Sequence, residues 1–479
     1  MLFRSLVILI ACSATAEAFV PMQTVQWSRH APTLAFSTSI DHTPLKQPLF
    51  MSAAVADEGD SAKSSIPPGT ATVTQLCFNL VKSIVGAGVL SLPAGIAAFA
   101  SAPSAVLPAV ALIAIIGGLS GYGFSLIGRC CAYTNTKSYR DAWSATVGNK
   151  SSWIPAVAVT FKTFCAILAY SMILGDTFVS LLATAGIVTT KVQTLLGVTT
   201  GILLPLCLLK NLSSLAPFSL VGSLGMIYTA VAMSLRYFGK AYAAPAGKFA
   251  LDCAPALRPR FGAVGAEGIL SPSAAILVGM LSTAYMAHFN APKFYNELKD
   301  RTLPNYYKVV STSFGASIAI FAVIAAMGFM TFGSSCSGLI LNNYSTKDTL
   351  MGLSRIAVAV SLVFSYPLAF VGLRDGVMDL LKLKTGPKGQ NLLTVALLSL
   401  VTMAALSIPD VSFVLAFGGA TLGNALIYIF PFLMFRKAIK NKTDATPGQK
   451  REVKLAAGSA LLGIGMGLLG AKMALASLG

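Results

Sequence analysis

The residues best suited to chemistry in this 479-residue chain lie inside its apolar stretches. In the first stretch, Gly86 and Gly88 are followed by Pro93. Glycine tolerates unwound backbone and proline lacks an N–H donor, so this spacing predicts a helix that breaks in mid-stretch. The N–H groups exposed at such a break can hold a carboxylate, and the freed carbonyls can hold a cation. The alternative is a face of small residues for close helix packing.

A second interruption lies much further along the chain, between Tyr285 and Lys299. Here His288, Asn290 and Pro292 interrupt an apolar run. Corresponding interruptions in two halves of a chain are typical of transporters built from inverted repeats, whose substrate and ion sites lie at the breaks. The residue identities do not repeat, so this interpretation depends on hydropathy and on the breaks alone.

Two ionisable side chains in apolar segments are candidates for ion coupling, because such residues are costly in a membrane and usually functional. Lys82 lies about one helical turn before the first break. It could pair with backbone carbonyls, replace a bound cation or take part in proton coupling, or it could be a helix-end lysine that extends to the interface. His288 could carry a proton, or it could be a hydrogen-bonded structural residue. Lys162 and Arg355 are expected to orient helices.

The composition indicates which elements must position these residues. The chain carries 35 Lys and Arg against 17 Asp and Glu, a net charge of +18, yet only 11% of its residues are charged and 55% are apolar. Soluble domains carry about 25% charged residues. This balance excludes an ordinary soluble enzyme, a disordered protein, a disulfide-built secreted domain and a nucleic-acid binder. It indicates a polytopic membrane protein.

Eleven apolar segments follow residue 73, and each should be a helix because the membrane core offers the backbone no water. They cover residues 74–99, 104–127, 153–182, 192–209, 215–238, 272–291, 309–332, 350–371, 392–408, 411–435 and 455–478. The loops on the N-terminal side hold 20 Lys and Arg, and the opposite loops hold 6. By the positive-inside rule, the N-terminus faces the side equivalent to the cytoplasm.

The N-terminal residues have the character of targeting segments. Residues 1–18 are typical of a signal peptide that ends at Ala18, because their apolar run is far shorter than the roughly 20 residues of a membrane span. Residues 19–70 are predicted to be a disordered transit and linker segment. Phe19 after the cleavage site resembles the bipartite presequence of algae with secondary plastids. This resemblance implies the plastid envelope, with a vacuolar or other endomembrane location as the alternative.

Three of the eight cysteines fit a membrane core. Cys77, Cys165 and Cys207 lie in the apolar segments and are interpreted as small apolar packing residues. Cys253 and Cys336 lie in two loops that share the far side of the membrane, so a disulfide between them is geometrically allowed. Two free thiols are the alternative.

Eight short motifs follow one another between about residues 74 and 435. They are Asn79–Pro93, Tyr139–Asp141, Leu168–Asp176, Pro205–Leu206, Leu209–Leu215, His288–Leu298, Ser365–Pro367 and Leu373–Asp375. Together they resemble the amino acid/auxin permease family of the amino acid–polyamine–organocation superfamily. The resemblance implies an all-α, LeuT-type fold of about 11 transmembrane helices. It divides the chain into two five-helix repeats of opposite topology at 71–238 and 272–435, a far-side loop at 239–271, a basic loop at 436–454 and an eleventh helix at 455–479.

The same resemblance implies a substrate site at the two breaks. The substrate-binding positions are then Gly86, Ala87, Gly88, Val89, Tyr170, Met286, Ala287 and Phe289. In the sodium-coupled branch of the family, a first-helix Asn and an eighth-helix hydroxyl hold the ion, which Asn79 and Ser365 match; Ser361 shares the helix face of Ser365. In the proton-coupled branch a lysine lies at the position of Lys82. The coupling ion is therefore left open between Na⁺ and H⁺.

These observations predict a secondary active transporter, a symporter of neutral amino acids that works by alternating access. It is expected to be a monomer whose partners are the amino acid and membrane lipid, with no nucleic acid, no organic cofactor and no metal apart from a sodium site. The alternative is an amino-acid sensor that signals through a partner without net transport. An enzyme is not expected, because the sequence contains neither an HExxH nor a GxSxG motif.

Overall fold

The computed structural model describes residues 69–209, 218–243, 245–383 and 386–477, with the backbone alone at 218–223. The predicted signal peptide at 1–18 and nearly all of the predicted segment at 19–70 lie outside the described residues. The described residues form α1 (Val73–Ile84), α2 (Leu92–Ala97), α3 (Val106–Thr134), α4 (Tyr139–Thr146), α5 (Trp153–Thr184), α6 (Lys191–Val198), α7 (Leu204–Leu208), α8 (Phe218–Phe238), α9 (Ala274–Ala284), α10 (Ala291–Asn296), α11 (Leu303–Phe332), α12 (Thr349–Leu380), α13 (Pro387–Ser407), α14 (Val411–Gly418), α15 (Phe430–Asn441) and α16 (Pro447–Ala476).

The helices confirm a multi-pass, all-helical architecture. In the described part of the chain, nine helical stretches are long and apolar enough to cross a membrane, and the bent pair of α1 and α2 raises the number to as many as ten. These stretches coincide with ten of the eleven predicted segments. Over the remaining segment, α8 forms a helix of 21 residues. The count of eleven spans is therefore not confirmed.

The first predicted helix break is present. A 3₁₀ turn over Ala87–Ser91 separates α1 from α2, and the two helices are bent by 45°. Gly86 has extended backbone with φ −115° and ψ 179°. Pro93 lies in the first turn of α2, where a backbone N–H would have no partner within the helix in any case. The break thus follows from local residue chemistry.

The second break has a similar construction. After α9, residues His288–Asn290 form a 3₁₀ turn, and α10 begins with Pro292 in its first turn. α9 also packs against α2 and against the 3₁₀ turn of the first break. The two breaks therefore lie beside each other.

A third irregularity, which the sequence reasoning did not predict, interrupts the tenth apolar segment. Between α14 and α15 the chain forms two π-helical turns, Gly419–Gly423 and Ala425–Ile429, and Thr421 has non-helical dihedral angles of φ −88° and ψ −112°. A Cβ atom at Gly419 would collide with the backbone carbonyl of Gly279 in α9. The third irregularity therefore contacts the same helix that leads into the second break.

Two groups of helices enclose the breaks. α11 packs on α1, α2 and α3, and α12 packs on α5 and α8. α14 contacts both α5 and α9, and α11 also packs on α8, so the two groups are in contact. Small residues allow the closest approach between α9 and α14, since Gly279 lies directly against the backbone of Ala416. The first break, α5, α9 and α14 consequently surround one interior space.

The structure differs from the sequence-based segments near the C-terminus. The predicted basic loop at 436–454 is largely helical, because α15 continues to Asn441 and α16 begins at Pro447. Thr446 caps α16 in a capping box with Gln449. This capping box can be recognised in the sequence. The charged residues at the start of α16 lower the local hydropathy, so the hydropathy pattern alone does not indicate a helix there. The loop proper is thus only a few residues long.

The two far-side cysteines are free thiols in the structure. The thiol of Cys253 donates to the carbonyl of Phe249 at 3.5 Å, and that of Cys336 donates to the carbonyl of Gly328 at 3.6 Å. Burial raises the pKa of both thiols, which lowers the thiolate fraction needed for disulfide exchange. The disulfide between them stays a prediction.

Candidate functional site

A cavity of about 70 Å³ lies where the two helix breaks meet α5 and α14. Most of its wall is apolar, and it includes five of the eight substrate positions predicted from sequence. These five are Gly86, Gly88, Val89, Tyr170 and Met286. Ala87 and Ala287 are 6% and 1% exposed and lie behind the wall rather than in it.

The backbone of the first break offers N–H groups suited to an anion, although not at every predicted substrate position. The N–H of Val89 donates to the carbonyl of Gly86 at 3.2 Å, so this group is already engaged. Ala87 and Gly88 are the first residues of the 3₁₀ turn, and the first N–H groups of a helical turn have no partner within it. The N–H groups of Ala87 and Gly88 are therefore the ones suited to a carboxylate.

The two glycines of the break leave the cavity open. A Cβ atom at Gly86 would lie 3.9 Å from the hydroxyl of Tyr170, and one at Gly88 would lie 3.7 Å from Cδ2 of Leu415. Both separations are ordinary contact distances, so a methyl group would fit the backbone there but would occupy space inside the cavity. Glycine at these positions thus contributes room for a ligand.

Sequence reasoning missed the rest of the wall, which consists of Ser83, Lys162, Ala166, Ala169, Ile173, Thr283, Ala284 and Leu415. Thr283 donates through its hydroxyl to the carbonyl of Leu415 at 2.6 Å and so ties α9 to α14 at the cavity. The α5 residues among them follow the helical spacing of Tyr170, which is a signal that the sequence does contain.

Lys162 brings a positive charge to this apolar wall. Its ammonium nitrogen lies 5.2 Å from the centre of the Phe289 ring, within the range of a cation–π contact. Phe289, a predicted substrate position, therefore meets the cavity through Lys162 rather than directly. From the sequence, Lys162 was expected to orient its helix. That role does not explain why Lys162 lies in the cavity wall.

His288 lies outside the cavity wall, on the α3 side of the second break. Its side chain is fully buried, and its Nε2 lies 2.9 Å from the carbonyl oxygen of Ser120. Phe124 packs edge-on against the imidazole with ring centres 5.8 Å apart. Nδ1 has no hydrogen-bond partner among the described residues. This geometry matches the structural alternative stated above, and the role of His288 in proton coupling stays a prediction.

The predicted ion-site residues do not line the described cavity. Asn79 and Lys82 are half-buried in α1, and Ser361 and Ser365 are half-buried in α12. The described residues contain no group of three or more His, Cys, Asp and Glu side chains suited to a metal ion. Hydroxyl, amide and carbonyl oxygens, the groups that Asn79, Ser361 and Ser365 carry, are ligands that hard cations prefer.

The sequence that forms these broken helices and the central cavity matches a known protein family. The family model described as transmembrane amino acid transporter protein matches residues 69–470. The chain belongs to this family. As a transmembrane amino acid transporter, it is a multi-pass membrane protein and not an enzyme. The resemblance inferred from the sequence motifs is thereby confirmed.

Individual relatives cover most of this transporter. Amino acid transporter AVT6E of Arabidopsis thaliana is 26% identical over 378 residues, which cover 74% of each chain. Sodium-coupled neutral amino acid symporter 2 of Danio rerio is 24% identical over 395 residues, which cover 78% of this chain and 77% of the symporter. These names give the sensor alternative no support.

The fold of the transporter is shared with a solved structure. Mhp1 in its inward-facing conformation superposes with a TM-score of 0.56 at 12% sequence identity, over 88% of this chain and 93% of Mhp1. At this identity the likeness shows the fold alone. It confirms the all-α, LeuT-type fold that the family resemblance implied.

Proposed function

We propose that the protein is a secondary active transporter of neutral amino acids that uses a sodium or proton gradient and works by alternating access. The observation that carries the proposal is the cavity at the meeting point of the two helix breaks. The similarity to the Danio rerio sodium-coupled neutral amino acid symporter supports both the neutral substrate and sodium as a coupling ion.

The cavity offers complementary surfaces to the two ends of an amino acid. The N–H groups of Ala87 and Gly88 would bind the α-carboxylate, because exposed backbone donors at a helix start favour an anion. The side chain would face Met286, with Tyr170 nearby. The apolar wall suits an uncharged side chain, since burial of apolar surface is favourable.

Transport would require the cavity to open to each side of the membrane in turn. The packing suggests which parts move together, since α11 packs on α1, α2 and α3. We propose that these helices, with α9 and α10, rock as a bundle against the remaining helices. The π-helical turn that contains Thr421 lies where α14 meets α9, and irregular helical turns of this kind are frequent at functional sites.

The coupling site is proposed from the sequence match. Asn79, Ser361 and Ser365 would bind sodium together with first-break carbonyls, whereas Lys82 or His288 would serve proton coupling. The plastid envelope, with a vacuolar or other endomembrane as the alternative, is likewise proposed from the N-terminal residues.

Uptake into liposomes tests the proposal. Purified protein should accumulate labelled neutral amino acids under an inward sodium or proton gradient, and not in the absence of both. Absence of uptake under either gradient for every standard amino acid would refute the proposal.

A glycine variant connects this activity to the cavity. Gly88→Ala adds a methyl group beside Leu415 at an ordinary contact distance, so the protein should fold while uptake falls about tenfold or more. Gly118→Ala is the matched control, because no atom lies within 4 Å of an added Cβ there. Equal uptake by both variants would show that transport does not use this cavity.

A further inference from the structure

Lys162 lies well inside the membrane-crossing helix α5 rather than at its end. Trp153, where α5 begins, is nine residues earlier, or about 13 Å along the helix axis. Lys162, Ala166 and Tyr170 are spaced four residues apart and therefore share one helix face. All three line the cavity. Lys162 thus lies where it can contact a ligand, because it shares the helix face that lines the cavity.

The positive charge of Lys162 has no anionic partner in the described chain. None of the cavity-lining residues carries a carboxylate, and the ion pairs of the described residues involve other side chains. The aromatic ring of Phe289 replaces only part of the hydration that an ammonium group loses on leaving water. A bound anion would supply the missing partner.

The position of this charge indicates which part of a substrate it would meet. The α-carboxylate has its own donors at Ala87 and Gly88 in the first break. Lys162 contacts Phe289, at the second break, where the substrate side chain is expected. We propose that Lys162 binds the side-chain carboxylate of an acidic amino acid, so that glutamate or aspartate is a substrate in addition to neutral amino acids. The inference rests on the proposed transport function and makes Lys162 a residue that determines specificity.

Glutamate and glutamine form a matched pair of ligands, because they share shape and differ in side-chain charge. Lys162→Gln removes the ammonium, and Lys162→Arg retains a positive charge. Lys308→Gln is the control variant, since Lys308 is an exposed lysine of α11 outside the cavity wall. Affinity for each ligand can be measured on purified protein in detergent from the ligand-induced rise in Tm. This measurement does not depend on transport.

We expect wild-type protein to bind both glutamate and glutamine. Lys162→Gln should weaken glutamate binding about tenfold or more, the usual effect of losing a charge-assisted hydrogen bond, and should change glutamine binding less than about threefold. Lys162→Arg and Lys308→Gln should both retain glutamate binding. In liposomes, uptake of labelled glutamate should be low in Lys162→Gln and should be retained in wild-type protein, Lys162→Arg and Lys308→Gln.

Four results would overturn the inference. Wild-type protein that binds and transports glutamine but does not bind glutamate would refute it and leave the proposed function intact. An equal loss of both ligands in Lys162→Gln would show that Lys162 shapes the cavity without binding a carboxylate. Glutamine binding that needs chloride in wild-type protein but not in Lys162→Gln, with glutamate affinity unaffected, would identify an inorganic anion as the partner. Failure to bind any amino acid would refute the proposed function as well.

Discussion

A buried ion pair between α3 and α16 allows a quantitative prediction about the last helix. The side chains of Arg129 and Glu452 are 8% and 25% exposed. The guanidinium donates two hydrogen bonds to the carboxylate, with Nη2 and Oε2 2.7 Å apart, and lies 4.5 Å from the centre of the Phe435 ring. Glu452→Gln keeps the shape of the side chain but removes the counter-charge of a buried guanidinium.

The expected cost follows from this burial. Removing one partner of a fully buried ion pair costs about 3–5 kcal/mol. Because a quarter of the Glu452 side chain is exposed, water replaces part of the interaction, and we expect about 2 kcal/mol. This corresponds to about 30-fold more frequent opening of the first turns of α16. Hydrogen exchange of the backbone amides at residues 450–456 measures that opening directly.

Arg140 and Asp379 provide a matched control on the same protein. Nη1 of Arg140 lies 3.0 and 2.9 Å from the two carboxylate oxygens of Asp379, but the side chains are 53% and 36% exposed. Exposed pairs contribute at most about 1 kcal/mol, so Asp379→Asn should leave the exchange of α16 unchanged. Unaltered exchange in Glu452→Gln would refute the reasoning, as would an equal effect of both variants.

Two further predictions concern buried polar groups. Asp348, which is fully buried, accepts hydrogen bonds from Arg236 Nε at 2.8 Å and from the Tyr242 hydroxyl at 2.9 Å. Asp348→Asn should therefore cost about 2–4 kcal/mol and lower the Tm of the purified protein, and an unchanged Tm would contradict the role of this network. His288→Gln can still donate to the Ser120 carbonyl, so we expect uptake with an unchanged pH profile. Selective loss of proton-driven uptake, with sodium-driven uptake retained, would instead support proton coupling through His288.

The helix breaks could be predicted because their causes are local. Pro93 and Pro292 each lie in the first turn of a new helix, and Gly86 allows an extended residue between α1 and the following turn. Such preferences act over a few residues and do not require knowledge of the partner helices. The positions of five substrate residues in the cavity wall followed from the family resemblance together with these breaks.

Features that depend on contacts between helices could not be predicted in this way. Arg129 counted as a loop charge because the apolar run ends at Ile127, whereas α3 continues to Thr134 and buries the arginine against α16. The π-helical turns after Gly418 shift the register of backbone hydrogen bonds, which leaves hydropathy unchanged. Both features arise from packing against other helices. The sequence of a single segment does not contain information about that packing.

Charged residues are rare in the apolar segments, so Lys162 and Arg355 can be singled out from the sequence, but their rarity does not assign their roles. Both were expected to orient helices. Arg355 is 1% exposed and donates to the carbonyls of Leu341 at 2.8 Å and Tyr344 at 2.7 Å, so the protein itself satisfies much of the guanidinium and a structural role is sufficient. For the ammonium of Lys162, the contact found among the described residues is the face of an aromatic ring at the cavity. A buried cation without enough hydrogen-bond or charge partners from the protein can still bind an anionic ligand. For this reason the acidic-substrate inference concerns Lys162 and not Arg355.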